Sequence, residues 1–140
     1  MAKGQPISVR LGEAAELLVD EERRRSGRSR SAVIEELAEE AAKARLFPGI
    51  AFRGPDPRRA WLIGTGLDVW EIVDLHGGYH GDVPALLRDF ELLSEAGVRL
   101  ALAYAERFSQ EIEEAITQNR LAPDELAARY PFIEVAGRGR

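Results

Sequence analysis

The sequence predicts a mainly α protein with short β elements, in which a strand-helix-helix segment precedes a small helical domain that carries a β-hairpin. Three observations carry this. Ile7, Val9 and Leu11 alternate with Pro6, Ser8 and Arg10, the period of a strand with one face turned to a core. Val33, Ile34, Leu37, Ala38 and Ala41 recur at the helical period. Turn residues then punctuate the rest of the chain at Gly27, Pro48-Gly49, Gly54-Pro55 and Gly77-Gly78. The expected divisions are residues 1–45, residues 46–118, and residues 119–140 as a terminal helix and flexible tail.

The first strand is short and has no neighbour of its own kind later in its segment, so its backbone groups need a second copy of the chain. Residues 13–25 read as a helix with Ala14, Leu17 and Leu18 on one side, acids early and arginines late, as the helix dipole favours. Gly27 stands in the C-cap place, and Ser29 or Ser31 can cap the helix that follows. A segment of this size buries too little apolar surface to fold alone. Ile7, Val9, Leu11, Leu18, Ile34 and Leu37 are therefore the expected core of a homodimer.

Charge divides the same way. The net charge is -5, yet residues 1–45 balance nine Lys/Arg against nine Asp/Glu, so the acidity lies in residues 46–140. Arg23, Arg24, Arg25, Arg28 and Arg30 bunch in one stretch, and a phosphate backbone senses such bunching because charges beyond about 10 Å are screened.

The string ISVRLGEAAELLVDEERRRSGRSRSAVIEELAEEA resembles the ribbon-helix-helix family of bacterial repressors and antitoxins over about residues 5–45. The resemblance implies that paired strands enter the major groove and that the start of the second helix anchors a phosphate. Ser8 and Arg10 would then face base edges, and Arg28, Ser29, Arg30 and Ser31 would meet the DNA backbone. The competing reading is an amphipathic helical hairpin that only dimerises, its arginines solvated.

Residues 50–63 read as a hairpin, IAF and AWLI flanking the turn cluster Arg53-Gly54-Pro55-Asp56-Pro57. Three helices follow: residues 67–75, a short one capped by Asp82 with Pro84 in its first turn, and a longer one capped by Ser94 with Val98, Ala101, Leu102, Ala105 and Phe108 in a stripe. A hairpin with three short helices makes a winged-helix-like domain the natural reading. The strings GTGLDVWEIVDL and DVPALLRDFELLSEAGVRLALAYAERFSQEIEEAI are similar to the antitoxin-linked family known as domain of unknown function 433, as a divergent member with Gly64-Thr65-Gly66 in the place of a basic glycine-rich stretch. That resemblance implies a partner, a nuclease-like toxin of the PIN class. Trp70 and Tyr104, with Leu126, Tyr130 and Phe132 of the tail, are the candidate toxin-binding residues. Aromatics such as Trp61, Trp70, Tyr79 and Tyr104 would equally fill a small core, and the tail, read as a helix over residues 121–133, would equally fold back on its own domain.

Chemistry is sparse. There is no cysteine for a disulfide or a thiolate site, and His76, His80 and Asp82 in HGGYHGD span a glycine turn, which points to a polar loop with a capping aspartate more than to a metal. Gly64-Thr65-Gly66 has neither a P-loop lysine nor a dinucleotide fingerprint after it. No nucleophile, base and orienting group assemble, so neither an enzyme nor a cofactor is expected. No apolar run is long enough for a membrane span and no signal peptide precedes residue 6, which suggests a cytoplasmic protein. The resemblances together imply the antitoxin of a type II toxin-antitoxin pair, a repressor that binds operator DNA. The alternatives are a stand-alone dimeric transcriptional regulator with a ligand- or protein-binding C-terminal domain, and an adaptor whose first segment only dimerises.

Overall fold

Local caps and left-handed glycines mark several of the element boundaries. The computed structural model describes residues 3–55 and 57–120, which fall into two units, residues 1–45 and residues 46–140.

In the first unit α1 spans Glu13–Ser26, with Glu13 and Glu16 in its first turn and Arg23, Arg24 and Arg25 in its last. Gly27 ends it at φ 71°, a left-handed conformation that any side chain would strain, and its N–H bonds back to the Arg23 carbonyl at 2.9 Å. The second helix, α2, spans Arg30–Leu46, and the Ser29 hydroxyl accepts from the Ala32 N–H at 3.2 Å. Ser29 is thus the cap, while Ser31 lies exposed in the first turn. Val19 and Val33 are the buried apolar residues of this unit.

Residues 3–11 take no regular secondary structure in the single chain, where the alternation of Ile7, Val9 and Leu11 predicts a strand. The physical reason is that a strand is defined by its ladder, and no described segment of this unit offers an edge to pair with. Ile7 and Val9 are accordingly 85% and 68% exposed, and Leu17, Leu18 and Leu37 are exposed as well.

The second unit opens with an antiparallel hairpin, β1 (Ile50–Arg53) and β2 (Arg59–Leu62), in the register Ile50 opposite Leu62 and Arg53 opposite Arg59. Gly49 starts it at φ 112°, a backbone conformation that a side chain would strain, and a Cβ there would also press on the end of the Leu100 side chain at 3.0 Å. Four helices follow among the described residues: α3 (Val69–Gly78), α4 (Val83–Asp89), α5 (Glu95–Arg107) and α6 (Ser109–Asn119). Asp82 caps α4 by accepting from the Ala85 N–H at 3.1 Å, and Ser94 caps α5 by accepting from the Gly97 N–H at 3.0 Å. At the centre α3 packs against β2, α4, α5 and α6. Ile50, Leu62, Ile72, Leu86, Val98, Ala101, Tyr104 and Ile112 make the core.

Between the hairpin and residue 120 the sequence reads three helices, where the described residues form four; the helix read over residues 121–133 lies outside the described residues. The apolar period runs on unbroken from Ala105 through Phe108 to Ile112 and Ile116, so periodicity alone sees no boundary. The chain nevertheless breaks at Phe108, at φ -120° and ψ 49°, where the ring closes on Tyr104 at 4.8 Å and Phe47 at 6.0 Å. Tertiary packing of that ring sets the break, and α6 then turns back onto α3 and α5. Among the described residues no helix is long and apolar enough to cross a membrane.

Candidate functional site

In the first unit the groups read as DNA-facing lie in two places. Ser8 and Arg10 are exposed on the unpaired segment, and Arg10 makes no ion pair among the described residues. The arginines around the turn each have a carboxylate within the same unit. Arg23 and Arg24 reach Asp20 at 3.2 and 3.5 Å, Arg25 pairs with Glu22, and Arg30 reaches Glu16 at 3.3 Å. Exposed pairs of this kind contribute at most about 1 kcal/mol, so a phosphate can exchange for the carboxylate at little cost. Arg28 differs. Its guanidinium bonds Glu36 across the turn in a part-buried pair, and its backbone N–H donates to the Ser26 hydroxyl at 3.3 Å, so it ties the two helices' ends together. Of the predicted dimer-core residues, Ile7, Val9, Leu18 and Leu37 are exposed in the single chain, and Leu11 and Ile34 are half-buried.

In the second unit the structure assembles a site the sequence reading missed, around Asp68. This carboxylate is only 4% exposed. Its Oδ1 accepts from Arg53 Nε and Nη2 at 3.0 and 2.8 Å, and its Oδ2 accepts from Arg59 Nε at 2.7 Å and Trp70 Nε1 at 3.2 Å. Arg53 also donates to the Gly66 carbonyl at 2.8 Å and lies 4.7 Å over the Trp61 ring. Arg53 and Arg59 are directly opposed across the hairpin, where like charges repel, and the carboxylate that both bond offsets that repulsion. Asp68 also begins α3, its backbone N–H donating to the Glu71 carboxylate at 3.1 Å. A signal for it was present in the sequence: Asp68-x-x-Glu71 before an apolar run is a capping-box spacing.

Beside this cluster lies an open groove of about 660 Å³ between the hairpin and α6, lined among others by Pro57, Arg59, Trp70, Ile112, Ala115 and Asn119. Trp70, a predicted partner-binding residue, is half-buried on its wall, with the indole N–H committed to Asp68. Tyr104 requires correction. It is fully buried, its ring packed edge-on against Phe47 and tilted against Phe52 and Phe108 and its hydroxyl donating to the Glu111 carboxylate at 2.9 Å, so it is not available to a partner. Leu126, Tyr130 and Phe132 lie outside the described residues.

The remaining motifs resolve into structural roles. Thr65 closes the turn from β2 to α3, its hydroxyl donating to the Leu62 carbonyl at 2.7 Å and accepting from the Leu67 N–H at 3.0 Å. Asp82 is a helix cap, and among the described residues no group of three or more His, Asp or Glu side chains is placed to hold a metal. Tyr79 donates to Asp89, and that hydrogen bond, helped by desolvation and by the nearby negative charge, raises the phenol above its ordinary value of 10.0. No protein-family model, no curated protein and no solved structure matches the chain.

Proposed function

We propose that the chain is a dimeric DNA-binding repressor of the antitoxin kind, with residues 1–45 pairing on operator DNA as a ribbon-helix-helix and residues 46–140 binding a toxin, a ribonuclease of PIN-like chemistry. One observation carries the DNA half of this reading. Ile7 and Val9 alternate on an unpaired segment at 85% and 68% exposure, directly ahead of two capped helices with Leu17, Leu18 and Leu37 uncovered. Two copies would pair these segments as a two-stranded ribbon, bury those side chains and put Ser8 and Arg10 on the opposite face. The turn arginines, held only by weak exposed pairs apart from Arg28, would then meet phosphates. What supports the protein-binding half is charge: residues 46–140 hold ten Lys/Arg against fifteen Asp/Glu, a poor surface for a phosphate backbone.

The direct test is binding of the purified chain to the DNA upstream of its own gene at several salt concentrations. Operator binding with a steep negative salt slope, together with co-purification of a small nuclease encoded beside it, is the expected result. Absence of salt-dependent binding removes the repressor reading. Binding without any neighbouring toxin leaves the stand-alone transcriptional regulator, which the groove beside Trp70 favours as a ligand site.

A further inference from the structure

Almost every base among the described residues of the second unit is engaged within it. Arg53 and Arg59 hold Asp68, Arg58 bonds the Phe52 and Gly54 carbonyls, Arg99 pairs with Glu95, Arg120 pairs with Asp74, and Arg107 lies over the Phe108 ring. Arg88 is the exception. Exposed near the end of α4, it has no hydrogen bond, ion pair or ring contact among the described residues. Three positions on, Glu91 is also exposed and also without a partner among them.

Both line one hollow of about 440 Å³, between the turn after β2, which supplies Thr65 and Leu67, and the turn after α4, which supplies Leu92 and Leu93. Leu92 stands 71% exposed at its rim, more than any other large apolar side chain described in this unit, and Ile63, two positions before Thr65, is 58% exposed. The opposite rim is open: Gly64 and Gly66 turn at φ 89° and 71°, with nothing within 4 Å of where a Cβ would stand. Asp89, the third charge of the hollow, already accepts from the Tyr79 hydroxyl. The patch thus carries a projecting apolar side chain beside a hollow, and an unpaired positive charge beside an unpaired negative one. A partner surface of a single sign leaves Arg88 or Glu91 unmatched. A second copy, related by a two-fold axis, satisfies both and meets each projection with a hollow.

We propose that this patch joins two copies of the chain through their second units in a self-complementary two-fold contact, with Leu92 of each copy seated in the other's hollow and Arg88 of each set against Glu91 of the other. A hollow lined by eight residues makes a contact of the weak, transient class, below about 1,200 Å². Such a contact takes effect where copies are already held near one another. The inference does not depend on residues 1–45 binding DNA.

The full chain carrying Ile7→Ser and Val9→Ser removes the association proposed for residues 1–45 and isolates this contact for sedimentation equilibrium at up to about 1 mM. This parent should show a concentration-dependent monomer–dimer equilibrium, weakened at least about a hundredfold by adding Leu92→Asp and about tenfold by adding Arg88→Glu or Glu91→Arg alone. An equimolar mixture of the Arg88→Glu and Glu91→Arg chains should associate to within about threefold of the parent, because each mixed contact sets opposite charges together again. Amide NMR shifts of residues 63–67 and 88–93 in the parent should move with concentration, and those of α6 should not. If residues 1–45 do not associate at all, the two serines change nothing and the same readouts still report this patch, so its failure and that of the DNA-binding reading are told apart. A parent that stays monomeric overturns the proposal and leaves the patch to a different protein or to none. Association that is indifferent to Leu92→Asp, or a mixture no better than either single variant, also overturns it, because the contact is then not this patch against itself.

Discussion

Replacing Asp68 with Asn is the sharpest test of what holds the second unit together. The substitution keeps size and shape and removes one charge. Asp68 is 4% exposed and accepts three bonds from two guanidiniums and one from an indole. Breaking a buried ion pair from one side costs about 3–5 kcal/mol when the stranded charge stays buried. Here the side chains of Arg53 and Arg59 are 36% and 44% exposed, so both recover water and the loss is discounted to about 2–3 kcal/mol. The repulsion between Arg53 and Arg59 across the hairpin, no longer offset, contributes a further few tenths of a kcal/mol. For a unit of this size 1 kcal/mol moves the midpoint by about 4–8 °C, so Asp68→Asn should lower it by roughly 10–20 °C. Both tryptophans of the chain, Trp61 and Trp70, lie in this unit, so tryptophan emission during thermal or urea unfolding reports it separately from residues 1–45. In a double-mutant cycle Arg53→Met and Asp68→Asn should couple by about 1–2 kcal/mol. A midpoint shift under about 3 °C, or additive single effects, would show that the four bonds to Asp68 are incidental and that apolar packing alone holds the hairpin to α3.

Further outcomes follow from the first unit and from Tyr79. In the proposed dimer, replacing Ile7 and Val9 together by Ser removes four side chains, each contributing about 1.5–3 kcal/mol when buried, so sedimentation equilibrium should show association weakened by at least about 10⁴-fold. Arg10→Ala should narrow the gap between operator and random DNA by about 1–3 kcal/mol in titrations at fixed salt, whereas Arg30→Ala, which frees Glu16, should weaken both alike and lower the salt slope by about one. Ser29→Ala should cost about 1 kcal/mol of helix stability by circular dichroism, the usual loss for an N-cap hydroxyl. The phenol of Tyr79 is held above 10.0, so the folded state grips its proton more tightly than the unfolded chain does; that stability is complete below the ordinary tyrosine range and is lost as pH rises through the raised value. Urea midpoints taken from pH 8 to pH 11.5 should therefore fall in the wild type above about pH 10 by more than in Tyr79→Phe.

Local chemistry was legible where one residue meets its own backbone. Gly27, Asp82 and Ser94 each act within four positions of themselves, and each caps the helix that its spacing predicts. The hairpin was legible for the same reason, since Gly54 and its prolines demand a turn whatever the rest of the chain does. Phe108 was not, because what breaks the helix there is contact with Phe47, sixty-one positions away in the chain. Helical period reports which side of a helix is apolar and is silent on whether the helix continues.

The candidate site failed to show in the sequence for a related reason, and the failure is informative about charge. Of the three, only Arg53 is read from the sequence, as part of a turn cluster; Arg59 just ahead of AWLI and Asp68 inside the helix over residues 67–75 carry nothing that joins them to it. Only the antiparallel register sets Arg53 opposite Arg59, and only the turn through Thr65 brings Asp68 between them. Tyr104 erred in the other direction: an aromatic with a polar tip suits an interface, but the same tip is satisfied in a core once Glu111 on the next helix supplies an acceptor. A tyrosine or an arginine is therefore a poor pointer to a partner until its in-chain acceptor is known. By that criterion Arg10, exposed and with no ion pair among the described residues, is the residue best placed to touch a base in the proposed DNA complex, and Arg28, bound to Glu36, is better placed to hold the turn against α2 than to contact a phosphate.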